Sequence, residues 1–116
     1  MAKLTNNKNA SKYYSSRQEQ YIANLLGGKV QPASGSTGFA KGDIILENWL
    51  IEAKTSMKPK SSFAIKKDWI DKNELERLEM HKPYSALVFQ FEPDGENYFV
   101  LSEKTFKKLL DKYEQE

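Results

Sequence analysis

The sequence predicts an α/β fold of the α+β kind, a central mixed β-sheet flanked by helices, in the order α-β-β-β-α-β-β-α. Three observations predict it. Apolar residues recur at helical spacing in three separated stretches, near 21–26, 69–78 and 106–113. Short runs rich in β-branched and aromatic residues lie between them, at 44–46, 49–51, 84–91 and 97–101. Turn formers separate the runs, notably Gly27-Gly28 and Pro93-Asp94-Gly95. A chain of 116 residues is the size of one domain with a single core.

Each element has its own signal. Residues 1–14 are polar, Lys/Asn-rich and aperiodic, and are expected to form a flexible basic arm ahead of one domain over 15–116. A helix capped by Ser15 or Ser16 is predicted to run to Leu26, with Tyr21, Ile22, Leu25 and Leu26 inward and Gly27-Gly28 as its stop. Lys29-Val30-Gln31 opens a short strand. Residues 32–42 form a loop of small residues. Two strands follow, then a Lys/Ser/Pro-rich connection at 55–62. The second helix is expected from about Lys66 to His81, with Trp69, Ile70, Leu75 and Leu78 available for burial. Tyr84 to Phe91 reads as a buried strand and Asn97 to Leu101 as its successor. A closing helix spans Glu103 to Tyr113, with Phe106, Leu109, Leu110 and Tyr113 inward.

Composition narrows the chemistry. There is no cysteine, so disulfides and thiolate metal sites are excluded, and any metal is held by oxygen or imidazole. No apolar run approaches bilayer length, and the polar N-terminus has no signal-peptide core, so a cytoplasmic location is expected. The net charge of +2 hides an asymmetry. Residues 1–41 carry six Lys or Arg against one acid, Glu19, whereas residues 42–116 carry twelve against fifteen. Lys54, Lys58, Lys60, Lys66 and Lys67 lie in an acid-free stretch, 53–67. A polyanion would meet the first half and this stretch.

The most informative segment is Gly42-Asp43-Ile44-Ile45-Leu46-Glu47-Asn48-Trp49-Leu50-Ile51-Glu52-Ala53-Lys54. Two apolar runs are interrupted by Asp43, Glu52 and Lys54, and a buried charge is costly unless paired or bound to a metal. If the chain reverses at Glu47-Asn48, Ile45 faces Leu50, Ile44 faces Ile51 and Asp43 faces Glu52. Side chains alternate along a strand, so Asp43, Ile45, Leu50, Glu52 and Lys54 share one face. Ile44, Leu46, Trp49, Ile51 and Ala53 share the other, a core face. Two carboxylates directly opposed, with Cβ atoms about 5 Å apart, are destabilising unless a cation lies between them. Oxygen ligands with open positions suit Mg²⁺ or Mn²⁺. Lys54 points toward the same place, where it can stabilise a phosphate or orient a water. An exposed hairpin edge with an ordinary Glu–Lys pair is the plain alternative. Trp49 and Trp69 read as core residues and His81 as a surface residue.

The wider pattern resembles the PD-(D/E)xK nuclease superfamily. In that family a helix bearing Glu precedes a hairpin bearing Asp and then (Asp/Glu)-x-Lys. Here these are Ser16-Arg17-Gln18-Glu19-Gln20-Tyr21, Gly42-Asp43-Ile44-Ile45 and Leu50-Ile51-Glu52-Ala53-Lys54. Gly42 stands where the family name has Pro. Within the superfamily the chain most resembles the small Holliday junction resolvases of archaea and phages, whose Ser-Gly-Ser-type loop is matched by Pro32-Ala33-Ser34-Gly35-Ser36. The resemblance covers roughly residues 15–102.

The resemblance implies a restriction-endonuclease-like core and a Mg²⁺-dependent (or Mn²⁺-dependent) endodeoxyribonuclease acting on branched DNA. Asp43, Glu52 and the Ala53 carbonyl would hold the metal, Glu19 would reach it from the first helix, and Lys54 would assist the attacking water. Ser34, Gly35 and Ser36 would lie near the scissile strand. Arg17, Lys29, Lys41, Lys58, Lys60, Lys66 and Lys67 would track phosphates. Symmetric cutting of two strands implies a C2 homodimer, with strand 84–91 and the final helix as candidate surfaces. A Lys/Asn-rich start and compactness fit a phage enzyme in its host cell. The rival expectations are a flap, single-strand or duplex nuclease with the same site, and a non-catalytic DNA-binding module.

Overall fold

The computed structural model describes residues 7–32 and 43–115. It is α+β, with a five-stranded mixed sheet and three helices. In chain order these are α1 (Asn7–Leu26), β1 (Lys29–Val30), β2 (Ile44–Ile45), β3 (Trp49–Lys54), α2 (Lys67–Glu79), β4 (Tyr84–Gln90), β5 (Asn97–Val100) and α3 (Glu103–Glu114). Spatial order follows sequence order, β1-β2-β3-β4-β5. Only β3 and β4 run parallel, with Trp49 opposite Tyr84 and Lys54 opposite Phe89. A parallel pair needs a crossover, and α2 supplies it. No described helix is long and apolar enough to cross a membrane.

The β2–β3 hairpin has the register that the alternation predicts. Ile44 pairs with Ile51 and Ile45 with Leu50. The Leu46 N–H donates to the Trp49 carbonyl at 3.0 Å, closing a two-residue turn at Glu47-Asn48. The predicted core face is buried: Ile44, Ile51 and Ala53 join Ile22, Ala23, Ala86 and Val88, with Leu46 and Trp49 packed at the margin.

The first helix departs from expectation. It begins at Asn7 rather than at Ser15 or Ser16, so the expected 1–14 arm is helical from its seventh residue; residues 1–6 lie outside the described ones. Its inward stripe is Ala10, Tyr14, Gln18 and Ile22, spaced four apart, with Ala23 beside it. Such a stripe is nearly silent to an apolar search, because only one of its four members is a large aliphatic residue. Tyr21, Leu25 and Leu26 are exposed instead of inward. Gly27 ends the helix at φ +75°, a left-handed conformation that glycine adopts without a Cβ clash. The Gly28 N–H then reaches back to the Ala23 carbonyl at 2.8 Å. A Cβ on Gly28 would stand 2.6 Å from the Ile45 carbonyl, so glycine lets α1 turn directly onto the hairpin.

Two further inward faces are corrected. On α2, Ile70, Leu75 and Leu78 are exposed, and the buried residues are Asn73 and Glu76. The Asn73 amide donates to the Leu50 carbonyl at 3.3 Å and the Ala86 carbonyl at 3.2 Å, tying the crossover to both parallel strands. On α3, Phe106, Leu110 and Tyr113 are exposed, and no residue of the helix is fully buried. The helix exists all the same: the Ser102 side chain caps it by accepting from the Thr105 N–H at 3.1 Å. Strand β4 is interior, paired on both sides, so it offers no free edge to a partner.

Candidate functional site

The acidic residues singled out above come from three elements. Asp43 stands just before β2, Glu52 lies on β3 and Glu19 lies on α1. The hairpin continues one step beyond β2, because the Asp43 N–H donates to the Ile51 carbonyl at 3.0 Å. The Asp43 carboxylate then accepts from the Ala53 N–H at 2.8 Å. It thereby satisfies a β3 donor left unpaired where the short β2 gives out. Glu52 sits beside it, and Lys54 Nζ lies 3.3 Å from Glu52 Oε2.

Electrostatics join the three acids. Burial pushes the Asp43 carboxyl up from its ordinary range, against the opposing pull of the Ala53 N–H, Lys54 and Lys72. The Glu52 carboxyl is also pushed up, first by burial and then by the charge of Asp43. Glu19 is raised to about 7, again by burial first, then by Asp43 and Glu52. Carboxylates that resist ionisation through burial and neighbouring charge make this cluster a candidate functional site.

Lys54 is held in place on two sides. Besides Glu52, its ammonium lies 4.5 Å from the centre of the Trp69 ring. Its carbonyl accepts from Gln18 Nε2 at 2.8 Å, which fixes α1 to the end of β3 and sets the position of the neighbouring Glu19. Gln18, Trp69 and Lys72 were not anticipated as members of this neighbourhood. Gln18 had one available signal, its place beside Glu19 on the inward side of the helix. Trp69 read as core, and its contact with Lys54 depends on the β3–α2 crossover.

The predicted DNA-contacting residues divide. Lys58, Lys60 and Lys66 are exposed on the connection after Lys54, with Lys66 Nζ 5.8 Å from the Trp69 ring centre. Lys67 is held by Asp71 at 2.7 Å, and Arg17 by Asp94 at 2.9 Å. Both pairs are exposed and weak in water. Lys29 lies opposite Ile45 on the turn side of the hairpin, at the other end from Asp43. Ser34, Gly35, Ser36 and Lys41 lie outside the described residues.

The donor set fits a hard divalent cation. Asp43 and Glu52 supply adjacent, half-buried oxygen ligands whose crowding a cation would relieve. Among the described residues no three acidic, histidine or cysteine side chains are grouped closely enough to hold a metal alone. Glu19 therefore feels the charge of the pair without completing a cage with it. Mg²⁺ is ordinarily bound through one or two carboxylates, with water and substrate phosphate completing the shell. Two carboxylates suffice for that mode.

No family model, curated protein or solved structure matches the chain in comparisons with known proteins.

Proposed function

We propose that the protein is a metal-dependent endonuclease that hydrolyses DNA phosphodiester bonds, of the PD-(D/E)xK type its sequence resembles, with a restriction-endonuclease-like core. One observation carries the reading: the half-buried Asp43 and Glu52 raise the proton affinity of Glu19, and Asp43 that of Glu52, beside a lysine held by Glu52 and Trp69. A structural ion pair needs one acid for one base. Here Glu19, Asp43, Glu52 and Glu76 meet Lys54 and Lys72, which leaves excess negative charge that a bound cation would offset.

In this reading Asp43 and Glu52, with the Ala53 carbonyl, hold Mg²⁺ or Mn²⁺. The cation supplies charge neutralisation at the phosphate and acidifies a water. Lys54 donates to a non-bridging phosphate oxygen or orients the water. Glu19, half-protonated near pH 7, is suited to take the proton that the water releases. Water oxygen adds to phosphorus, the bond to the 3′ oxygen breaks, and that oxygen takes a proton from solvent and leaves as a hydroxyl, giving 5′-phosphate ends.

The preferred substrate is branched DNA, a four-way junction above all, cut by a C2 homodimer. The exposed apolar side chains of α3, Phe106, Leu110 and Tyr113, are the surface a second copy would cover. Equimolar junction, flap, duplex and single strand in one gel assay test the substrate assignment. Preference for the junction is expected; preference for flap or duplex would transfer the same chemistry to another target. That no three candidate ligands group to hold a metal among the described residues favours a second reading, a DNA-binding module without catalysis. That reading predicts binding but no cleavage with any divalent cation.

A further inference from the structure

A cleft of ≈ 760 Å³ opens between α1 and the β4–β5 turn, on the other side of Gln18 from the acidic site. Its walls carry side-chain amides, those of Gln18, Gln20, Gln90 and Asn97, together with the rings of Tyr21 and Phe99. Both rings are substantially exposed, at 58% and 42%. Gln18 is 2% exposed, and its Oε1 is buried with no hydrogen-bond partner. Its orientation is set: Nε2 donates to the Lys54 carbonyl at 2.8 Å and to Asn97 Oδ1 at 3.2 Å, so the oxygen is the atom left over. Gln90 is equally fixed. Its Oε1 accepts from Thr55 Oγ1 at 2.6 Å and its Nε2 donates to the Gly95 carbonyl at 3.1 Å.

A buried acceptor without a donor is uncommon and calls for a ligand or an ordered water. The cleft's chemistry selects among ligands. Arg17 is engaged by Asp94, and Glu96 also lies on the rim, so a phosphate is disfavoured there. An unpartnered amide oxygen on Gln18, in a wall that also carries Asn97 and two exposed aromatic rings, matches the edge and face of a flat heterocycle. Asn and Gln pair with base edges, and exposed aromatic rings stack on bases irrespective of sequence.

We infer that this cleft receives an unpaired nucleobase from the strand adjoining the scissile phosphate. The inference rests on the nuclease reading and deepens it. Gln18 joins the two sites directly, since it lines the cleft and bonds the Lys54 carbonyl. A base seated there would be joined to the Lys54 end of β3 through Gln18, so the enzyme would favour DNA with an unpaired base near the cut, as at a branch or in a single strand. A perfect duplex would have to extrude a base first, at a cost in unstacking.

Binding without divalent cation, in EDTA, tests this independently of cleavage. Fluorescence anisotropy would compare a labelled single strand, the same strand with an abasic position, and the duplex, for the wild type and for Tyr21→Ala, Tyr21→Phe and Asn97→Ala. Tyr21→Ala and Asn97→Ala are each expected to weaken single-strand binding by about tenfold, the scale of one stacked base. Tyr21→Phe should bind as the wild type does. Duplex affinity should stay unchanged, which also shows that the variants fold. The abasic strand should bind the wild type as weakly as the intact strand binds Tyr21→Ala. Equal losses on single strand and duplex, or an abasic strand bound as tightly as the intact one, would overturn the inference. So would a cleft that takes up a blocked asparagine peptide but neither deoxyadenosine nor deoxycytidine monophosphate, as monitored by the side-chain amide signals of Gln18 and Asn97. Base-dependent binding with no cleavage under any divalent cation would uphold the cleft and defeat the nuclease reading. Cleavage without base dependence would do the reverse.

Discussion

At the residue scale, Glu19 carries the clearest physical consequence. Its carboxyl titrates near 7 in the fold and near its ordinary 4.5 when the chain unfolds. Between those values the folded protein keeps a proton that the unfolded chain has released. Stability therefore falls as pH rises through that window, and the penalty is complete above about 7 and absent below about 4.5. Asp43 and Glu52, also raised, act in the same direction. Glu19→Gln should therefore raise the melting temperature of the metal-free protein at pH 8 and change it little at pH 4.5, as read by thermal denaturation. An unchanged pH profile in the variant would show that the fold, through burial and the neighbouring acids, does not raise the Glu19 carboxyl. Asn73 makes a contrasting prediction. Asn73→Ala removes both amide bonds to the parallel strands and should cost about 1–3 kcal/mol in denaturant unfolding, independent of pH in this range.

At the element scale, the β2–β3 register was legible over Ile44–Ile45 and Leu50–Ile51, while the expected pairing of Asp43 with Glu52 gives way to an Asp43 N–H bond to the Ile51 carbonyl. Alternation with period two specifies which side chains share a face, and one two-residue turn fixes the register, so Ile44 opposite Ile51 follows from local sequence alone. Helices were legible as elements but not as faces. The stripe Ala10-Tyr14-Gln18-Ile22 hides a polar residue on its inward side, because Gln18 is needed at the Lys54 carbonyl and the cleft. Likewise, α2 turns Asn73 and Glu76 inward while Leu75 and Leu78 stay out, since the crossover is secured through strand carbonyls. Periodicity reports where apolar residues are, and it cannot report a buried polar contact that tertiary structure creates. The α1–β1 corner was legible from Gly27-Gly28, and it makes a testable claim. Gly28→Ala brings a Cβ to 2.6 Å from the Ile45 carbonyl and should destabilise the protein more than Gly27→Ala, which meets no neighbour and bears only the left-handed backbone cost of about 1–2 kcal/mol. Equal losses in urea unfolding would show that the corner can relax.

At the scale of the whole molecule, the sheet brings distant segments to one end. The acids of α1, the hairpin and β3 are separated by 24 residues between Glu19 and Asp43, and no local pattern places them together. Their juxtaposition was accessible only through the family resemblance, whereas the expectation that Asp43 shares a face with Glu52 came from strand alternation. The exposed apolar side chains of α3 bear on assembly. If a second copy covers them, Leu110→Glu should convert a dimer into a monomer in light scattering while leaving the secondary-structure spectrum intact. A wild-type monomer at tens of micromolar would remove the symmetric-cutting model.

If Asp43, Glu52 and Lys54 form a cutting site, a labelled four-way junction is cleaved in Mg²⁺ or Mn²⁺. Asp43→Asn can still accept from the Ala53 N–H, and Glu52→Gln nearly preserves side-chain size, so both variants are expected to fold and bind DNA. The predicted result is cation-dependent cutting by the wild type, reduced by at least about a hundredfold in each variant with binding retained. Cutting that survives both substitutions, or a wild type inert with every divalent cation, would contradict the assignment.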